Sequence, residues 1–158
     1  MGTGKLVVGV TGASGAIYAQ RFLREAARHW DEIFLILSEQ AIQVAATELG
    51  TAPRRDRFST IEWLGEDLPR IRLLDSKNYF TPPASGSFRH DGMVIVPCSM
   101  GTAGRIANGI SDDLMTRAAD VCLKERRPLV LVPREMPMNA IMLRNLTTLA
   151  EAGATVIP

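Results

Sequence analysis

The chain is poor in the residues on which several chemistries depend. Its two cysteines, Cys98 and Cys122, do not stand at a metal-ligand spacing. With no secretory leader in view, they read as reduced thiols of a cytoplasmic protein. Neither histidine, His29 nor His90, lies near a serine in a hydrolase pattern, and no G-x-S-x-G elbow is present, which argues against a catalytic triad. Excess charge is missing as well. Eighteen basic against seventeen acidic residues leave a formal net charge of +1, so neither nucleic acid nor a membrane surface is an expected partner. The longest apolar runs are of strand length, so no transmembrane segment is expected, and no internal repeat or low-complexity tract is seen.

At 158 residues, 46% of them hydrophobic, the chain suffices for one domain with a sheet covered on both faces. It is organised around Leu6-Val7-Val8-Gly9-Val10-Thr11-Gly12-Ala13-Ser14-Gly15-Ala16, an apolar run that meets a glycine-rich turn, with helical character over 16–29. Such a loop sets backbone N–H groups at a helix N-terminus, where they and the helix dipole attract an anion. Gly12 and Gly15 let a phosphate approach without meeting a Cβ, and Ser14 adds a hydroxyl donor. The same glycines also fit a packing turn that only lets helix and strand approach. The spacing of Gly9, Gly12 and Gly15 is not G-x-G-x-x-G, and the second strand, Ile33-Phe34-Leu35-Ile36-Leu37, leads to Ser38 rather than to an acidic ribose partner. A mononucleotide therefore fits better than NAD.

Ser38 suits the N-cap of a short helix over 39–49. There Ala41, Val44, Ala45 and Glu48 share a face, which puts a carboxylate on an apolar stripe; it either reaches back to water or is held for chemistry. Residues 51–69 carry Pro53 and the cluster Arg54, Arg55 and Arg57, and read as a surface excursion with only Ile61-Glu62-Trp63-Leu64 periodic. A brief third strand over 70–74 precedes a long loop over 75–91 that contains Pro82-Pro83-Ala84-Ser85-Gly86-Ser87. Long loops in compact α/β domains often line sites, so Tyr79 and Phe80 are either ligand walls or anchors of the loop.

Met93-Val94-Ile95-Val96 is the next buried strand, ending in the small-residue loop Pro97-Cys98-Ser99-Met100-Gly101-Thr102. That loop and the first glycine loop both fall beyond the carboxyl ends of parallel strands, where ligands sit in open α/β sheets. Ser99, Gly101 and Thr102 offer N–H and hydroxyl donors there, and Cys98 reads as a packing residue. A helix over 111–125, with Ser111 or Asp112 near its cap, places Leu114, Arg117, Ala118, Val121 and Lys124 on one face. Two cations on such a face either snorkel to its rim or hold a phosphate or carboxylate at a subunit boundary. Pro128-Leu129-Val130-Leu131-Val132 delivers Pro133-Arg134-Glu135 to the same crevice, with Arg134 placed to clamp a phosphate and Glu135 to carry a proton or orient a cation. A helix over 139–152, with Met142, Leu146, Leu149 and Ala150 on its stripe, and a last strand over 154–157 complete the alternation. It predicts a parallel, three-layer α-β-α domain.

The sequence resembles the flavin prenyltransferases of the UbiX type. The matching stretches are Thr11-Gly12-Ala13-Ser14-Gly15-Ala16, Pro82-Pro83-Ala84-Ser85-Gly86-Ser87, Pro97-Cys98-Ser99-Met100, Ala107-Asn108-Gly109-Ile110-Ser111-Asp112, Arg117-Ala118-Ala119-Asp120-Val121-Cys122-Leu123-Lys124-Glu125-Arg126 and Leu129-Val130-Leu131-Val132-Pro133-Arg134-Glu135. The resemblance implies a single flavodoxin/Rossmann-like domain that binds FMN and alkylates it with dimethylallyl phosphate, without a metal, to give prenylated FMN for UbiD-type decarboxylases. By matching position it implies an FMN-binding set of Gly12, Ala13, Ser14, Ser38, Ser99, Met100, Gly101, Thr102 and Arg134. Tyr79 stands where the family carries an aromatic beside the prenyl group. Glu48, Arg117, Lys124 and Glu135 match the charged residues around the prenyl phosphate and the proton relay. Arg117 and Lys124 are implied to come from a neighbouring subunit of a homo-oligomer, by resemblance a dodecamer. Ionising an allylic phosphate leaves a delocalised cation and a departing anion, so cations gather at the phosphate while an aromatic face stabilises the carbocation. Ring closure then needs a proton moved, for which a partly buried Glu48 with a raised pKa, beside Ser14, is the expected carrier.

In the family a C-terminal segment follows the last strand and supplies a tyrosine and a basic residue to the prenyl phosphate. The present sequence ends at Pro158, so a single domain over 1–158 without that segment is expected. Two other readings stay open. The FMN-dependent cysteine decarboxylases are similar in expected fold, and Pro137-Met138-Asn139-Ala140-Ile141-Met142 resembles their substrate-recognition stretch, but they carry an active histidine and a Pro-Ala-Ser-Ala-Asn-Thr loop where this chain has Pro97-Cys98-Ser99-Met100-Gly101-Thr102. A non-catalytic FMN-binding subunit is the other.

Overall fold

Side chains alternate between two apolar layers along the central strands, and this places helices on both faces of the sheet. The computed structural model describes residues 4–158. Its strands are β1 (Lys5–Val10), β2 (Glu32–Leu37), β3 (Ile71–Leu74), β4 (Gly92–Cys98), β5 (Leu129–Pro133) and β6 (Thr155–Val156). All pair in parallel, in the order β3-β2-β1-β4-β5-β6. Val8 of β1 and Ile33, Leu35 and Leu37 of β2 face one core with α1 (Ala16–His29), α2 (Glu39–Leu49) and α3 (Thr60–Leu64). Val7, Phe34 and Ile36 face the other, built with α4 (Met100–Ala107), α5 (Leu114–Lys124) and α6 (Ala140–Glu151). The expected three-layer domain is therefore the observed one, and a parallel sheet so covered reads in sequence as continuous apolar runs.

Four local expectations change. Residues 51–69 are not only a surface excursion: α3 drives Trp63 and Leu64 into the core, capped by Ser59 accepting from the Glu62 amide. Arg55 fastens the same segment to the sheet by donating to the Leu37 carbonyl at 2.9 Å and the Ser76 hydroxyl at 3.1 Å. The stretch 97–102 is only half loop, because α4 starts at Met100 behind the Ser99 cap; Gly101, Thr102 and Gly104 are weak helix formers and hid it. The cap of α5, expected near Ser111 or Asp112, is Asp113 in a reciprocal box with Thr116, and the D-x-x-T spacing from Asp113 to Thr116 is its signal. On α6 only Leu149 of the expected stripe is buried, Ala150 is exposed, and Ile141 and Leu143 are about half-exposed.

The strand order reverses between β1 and β4, and their departing chains are tied by one side chain. The Thr11 hydroxyl, 2% exposed, donates to the Pro97 carbonyl at 2.7 Å and accepts from the Ser99 amide at 2.7 Å. Thr11→Val keeps the volume but leaves the Ser99 amide without its partner, whereas the Pro97 carbonyl keeps the Thr11 amide at 3.2 Å; the stranded amide costs about 1–3 kcal/mol. We expect a melting temperature lower by several degrees, with Thr11→Ser close to the parent. An unchanged melting temperature in Thr11→Val would show that the tie is dispensable.

Candidate functional site

In an open parallel sheet the reversal of strand order leaves a crevice at the carboxyl ends of the strands. Here two adjoining cavities, of about 480 Å³ and about 260 Å³, share Ser38, Gln40 and Arg105 as walls. The smaller is closed by Thr11, Gly12, Ser99 and Thr102, and the larger by Ser76, Asp112 and Asp113. Residues expected from the glycine loop, from Ser38 and from 99–102 thus meet at one place.

Of the two readings of the glycines, packing is the one that holds for Gly12. A Cβ on Gly12 would collide with the Cβ of Gln40 in the first turn of α2, so Gly12 is needed for packing. Gly15 adopts φ 108° as the residue ahead of α1, a conformation that favours glycine. Nor is the N-terminus of α1 open to a phosphate. Glu48, from the last turn of α2, fills it: the Gly15 and Ala16 amides donate to its carboxylate at 3.0 and 2.9 Å, and the Ser14 hydroxyl donates at 2.7 Å. The α1 dipole therefore already holds an internal anion.

Glu48 was expected partly buried with a raised pKa, and both points are corrected. Ala41 and Ala45 are buried, but the last turn of α2 carries Glu48 to the exposed rim, where it meets hydrogen-bond donors rather than apolar walls. Its pKa is lowered, first by the Ser14 hydroxyl and then by the Ala16 amide; burial opposes them, and the Gly15 amide and the charge of Arg134 lower it a little further. The carboxylate is ionised at neutral pH.

Free donors lie elsewhere in the crevice. Among the described residues the amides of Gly12, Ala13 and Ser14 have no partner, and neither do those of Met100 and Gly101 in the first turn of α4. A Cβ on Gly101 would meet open space. Ser38 is committed as the cap of α2, accepting from the Ala41 amide at 3.0 Å, and Ser99 caps α4. Arg134 is exposed at the end of β5, has no ion pair among the described residues, and acts electrostatically on Glu48. Glu135 is half-buried beside it.

The remaining candidates stand apart from Ser14, Glu48 and Arg134. Tyr79 donates to the Ser111 carbonyl at 3.4 Å, next to Asp112 of the larger cavity, whereas Phe80 is fully exposed and is neither wall nor anchor. Arg117 and Lys124 were expected either to reach the rim of their helix face or to hold an anion at a subunit boundary; in the single chain Arg117 pairs with Asp120 at 3.0 Å and donates to the Ala84 carbonyl, and Lys124 pairs with Glu125. They flank the loop around Gly86, not the crevice. Sequence reasoning missed Thr11 and the cluster of Arg105 with Asp112 and Asp113. Cys98 is buried, and burial pushes its thiol up to about 12, as befits a packing residue. His29 ends α1 beside Glu25, and His90 precedes β4 and contacts the Gly92 carbonyl. Both lie at the amino ends of the strands, opposite the crevice, which removes the histidine a cysteine-decarboxylase reading needs.

The flavoprotein family model matches residues 1–158. A protein of Alkalihalophilus pseudofirmus named flavin prenyltransferase UbiX is 46% identical over 154 residues, which cover 97% of this chain and 76% of that protein. The crystal structure of AnUbiX in complex with FMN and dimethylallyl pyrophosphate matches with a TM-score of 0.85 at 39% identity, covering 98% of this chain and 77% of that one. A dodecameric FMN-dependent UbiX-like decarboxylase from Escherichia coli O157:H7 matches with a TM-score of 0.84 at 38% identity, covering 98% and 79%.

Because the folded-state pKa of Glu48 lies below its ordinary value, its contribution to stability is complete above about 4.5 and is lost as pH falls through the lowered value. Glu48→Gln should therefore melt below the parent at pH 7, by an amount worth roughly 0.5–2 kcal/mol for a weakened helix cap. The two melting temperatures should converge as pH falls below 4.5. A gap that persists at acid pH would mean that packing, not charge, is what Glu48 supplies.

Proposed function

Since the chain belongs to the flavoprotein family, and within it to the UbiX flavin prenyltransferases, we propose that it binds FMN in the strand-end crevice and joins to it the dimethylallyl group of dimethylallyl phosphate. The observation that carries this reading is the meeting, at the strand-end crevice, of the loops after β1 and β4 with their unpartnered amides, the Ser14–Glu48 pair being on the first of these loops and Arg134 at the end of the neighbouring β5. The residues present fit such a ligand: Gly12, Ala13, Ser14, Met100 and Gly101 supply backbone donors, Ser38 and Thr102 supply hydroxyls, Ser99 orders the first turn of α4 behind them, and Arg134 supplies a cation. FMN, as the acceptor, supplies the ring atoms that are alkylated.

The roles of the side chains follow from their states. Departure of the prenyl phosphate builds negative charge that Arg134 and, from a neighbouring subunit, Arg117 and Lys124 offset. Tyr79 offers its ring to the allylic cation. Glu48 enters as an ionised base: Ser14 already donates to it, so the Ser14 oxygen is left free to accept a proton and pass its own to the carboxylate. Glu135 is the second proton carrier. Assembly into a homo-oligomer is supported by Met136, Ile141 and Leu143, large apolar side chains exposed on the single chain, and by the dodecameric state of the E. coli neighbour. We place the protein in the cytoplasm; no helix among the described residues is long and apolar enough to cross a membrane. Its product serves UbiD-type decarboxylases.

Incubation of the protein with reduced FMN and dimethylallyl phosphate, followed by mass analysis of the flavin, tests the reading. Prenylated FMN is the expected product; tight FMN binding with no mass change would leave only a flavin-binding subunit. Arg134→Ala should weaken FMN binding by about ten- to a hundredfold, the worth of one charge-assisted contact. Glu48→Gln should leave FMN affinity near the parent value and slow formation of prenylated FMN by roughly 10²–10⁴-fold.

A further inference from the structure

Arg105 occupies the wall common to both cavities, yet nothing in the proposed reaction uses it. Its side chain, 32% exposed, is fixed by three acceptors. One terminal nitrogen donates to Asp112 at 2.6 Å and to Asp113 at 2.9 Å, and the other donates to the Thr102 hydroxyl oxygen at 3.3 Å. Asp113 is itself held by the Thr116 amide and hydroxyl at 2.8 and 2.7 Å, so the guanidinium is braced from the start of α5.

The consequence falls on Thr102, which is 4% exposed and faces the smaller cavity. A hydroxyl has one proton to give and two lone pairs to fill. The Thr102 oxygen accepts from the Ser99 hydroxyl at 3.0 Å and from Arg105, which uses both lone pairs. The Ser99 oxygen in turn accepts from the Thr102 amide at 3.2 Å. The Thr102 hydroxyl has no acceptor among the described residues, and Thr102 lines the smaller cavity in the same helical turn as the free Met100 and Gly101 amides.

We propose that Arg105 is a positioning residue that sets Thr102 as a hydroxyl donor to an anionic or carbonyl oxygen of the ligand in this crevice. The cation beside the Thr102 oxygen turns its proton outward; without it the Ser99–Thr102 bond can reverse, so that Thr102 donates to Ser99 and the free proton moves from Thr102 to the Ser99 hydroxyl. The assignment rests on the reading of the crevice as the FMN site, and it makes Arg105 act through a neighbour rather than as a phosphate clamp, since two aspartates already offset its charge.

Titration of FMN into the parent, Arg105→Lys, Thr102→Val and the double variant tests the coupling. Lysine keeps the cation beside Asp112 and Asp113, but its point-like ammonium lacks the fork that spans the aspartates and Thr102 together. Each single variant should bind FMN about tenfold more weakly, and the double variant should lose no more than Thr102→Val alone. Thr102→Ser, which keeps the hydroxyl, should bind like the parent. Losses that multiply to about a hundredfold in the double variant, or parent-like binding by Arg105→Lys, would overturn the assignment. Should Arg105→Lys not fold, Arg105→Met measured at high salt, where unpaired aspartate charge is screened, completes the same cycle. Failure of the parent to bind FMN would remove the premise and the assignment with it, and is told apart from failure of the coupling by the first titration.

Discussion

One buried hydroxyl holds the two strand ends on which the crevice depends. Thr11 bonds to the backbone of Pro97 and Ser99, so the loop after β1 and the start of α4 keep a fixed separation where the strand order turns back on itself. The Gly12 backbone can then lie against Gln40, the Ser99 cap can order the first turn of α4, and the free amides of both loops face a common space. A sheet alone would supply only the gap; the tie gives the gap a width.

Electrostatics divides that space into two. The α1 N-terminus, the usual place for a phosphate after a glycine-rich loop, is spent on Glu48, and this leaves the α4 N-terminus and Arg134 for an incoming anion. The bound carboxylate also shows how an acidic group can sit close to the proposed anion site without repelling an anion strongly. Its charge is absorbed by the Ser14 hydroxyl, two amides and the positive end of a helix. The proposed proton acceptor and the proposed anion site thus lie in neighbouring but distinct fields.

Much of this was legible in the sequence, because the signals were strong and local. Apolar runs of strand length between helical periods define the layers, and the small residues at 11–16 and 97–102 mark the strand ends that meet. The pairing of Ser14 with Glu48 was expected as well. What the sequence hid was whatever depends on tertiary reach. Whether Glu48 is buried turns on how far α2 runs past the sheet, and no periodicity records that. α4 was masked by its glycines, whose poor propensity is overridden by packing of Ala103 and Ile106 on the core. Arg105 with Asp112 and Asp113 looked like ordinary surface charge; only the turn between α4 and α5 brings the three together.

The sheet order also dictates when the site can exist during synthesis. β1 is made first, but its second neighbour, β4, pairs Leu6 with Gly92, and the Thr11–Ser99 bond spans 88 residues. Until that stretch has been made, β1, β2 and β3 can form only half a sheet, with β1 as an open edge carrying Val7 and Val8. Such an edge is a template for wrong pairing, and closing it requires a long loop to be ordered at once. In order of synthesis both partners of the Glu48 cap precede residue 92, whereas the second wall of the crevice begins only at Ser99, so a ligand of the crevice has nothing to close on until the second half has been made.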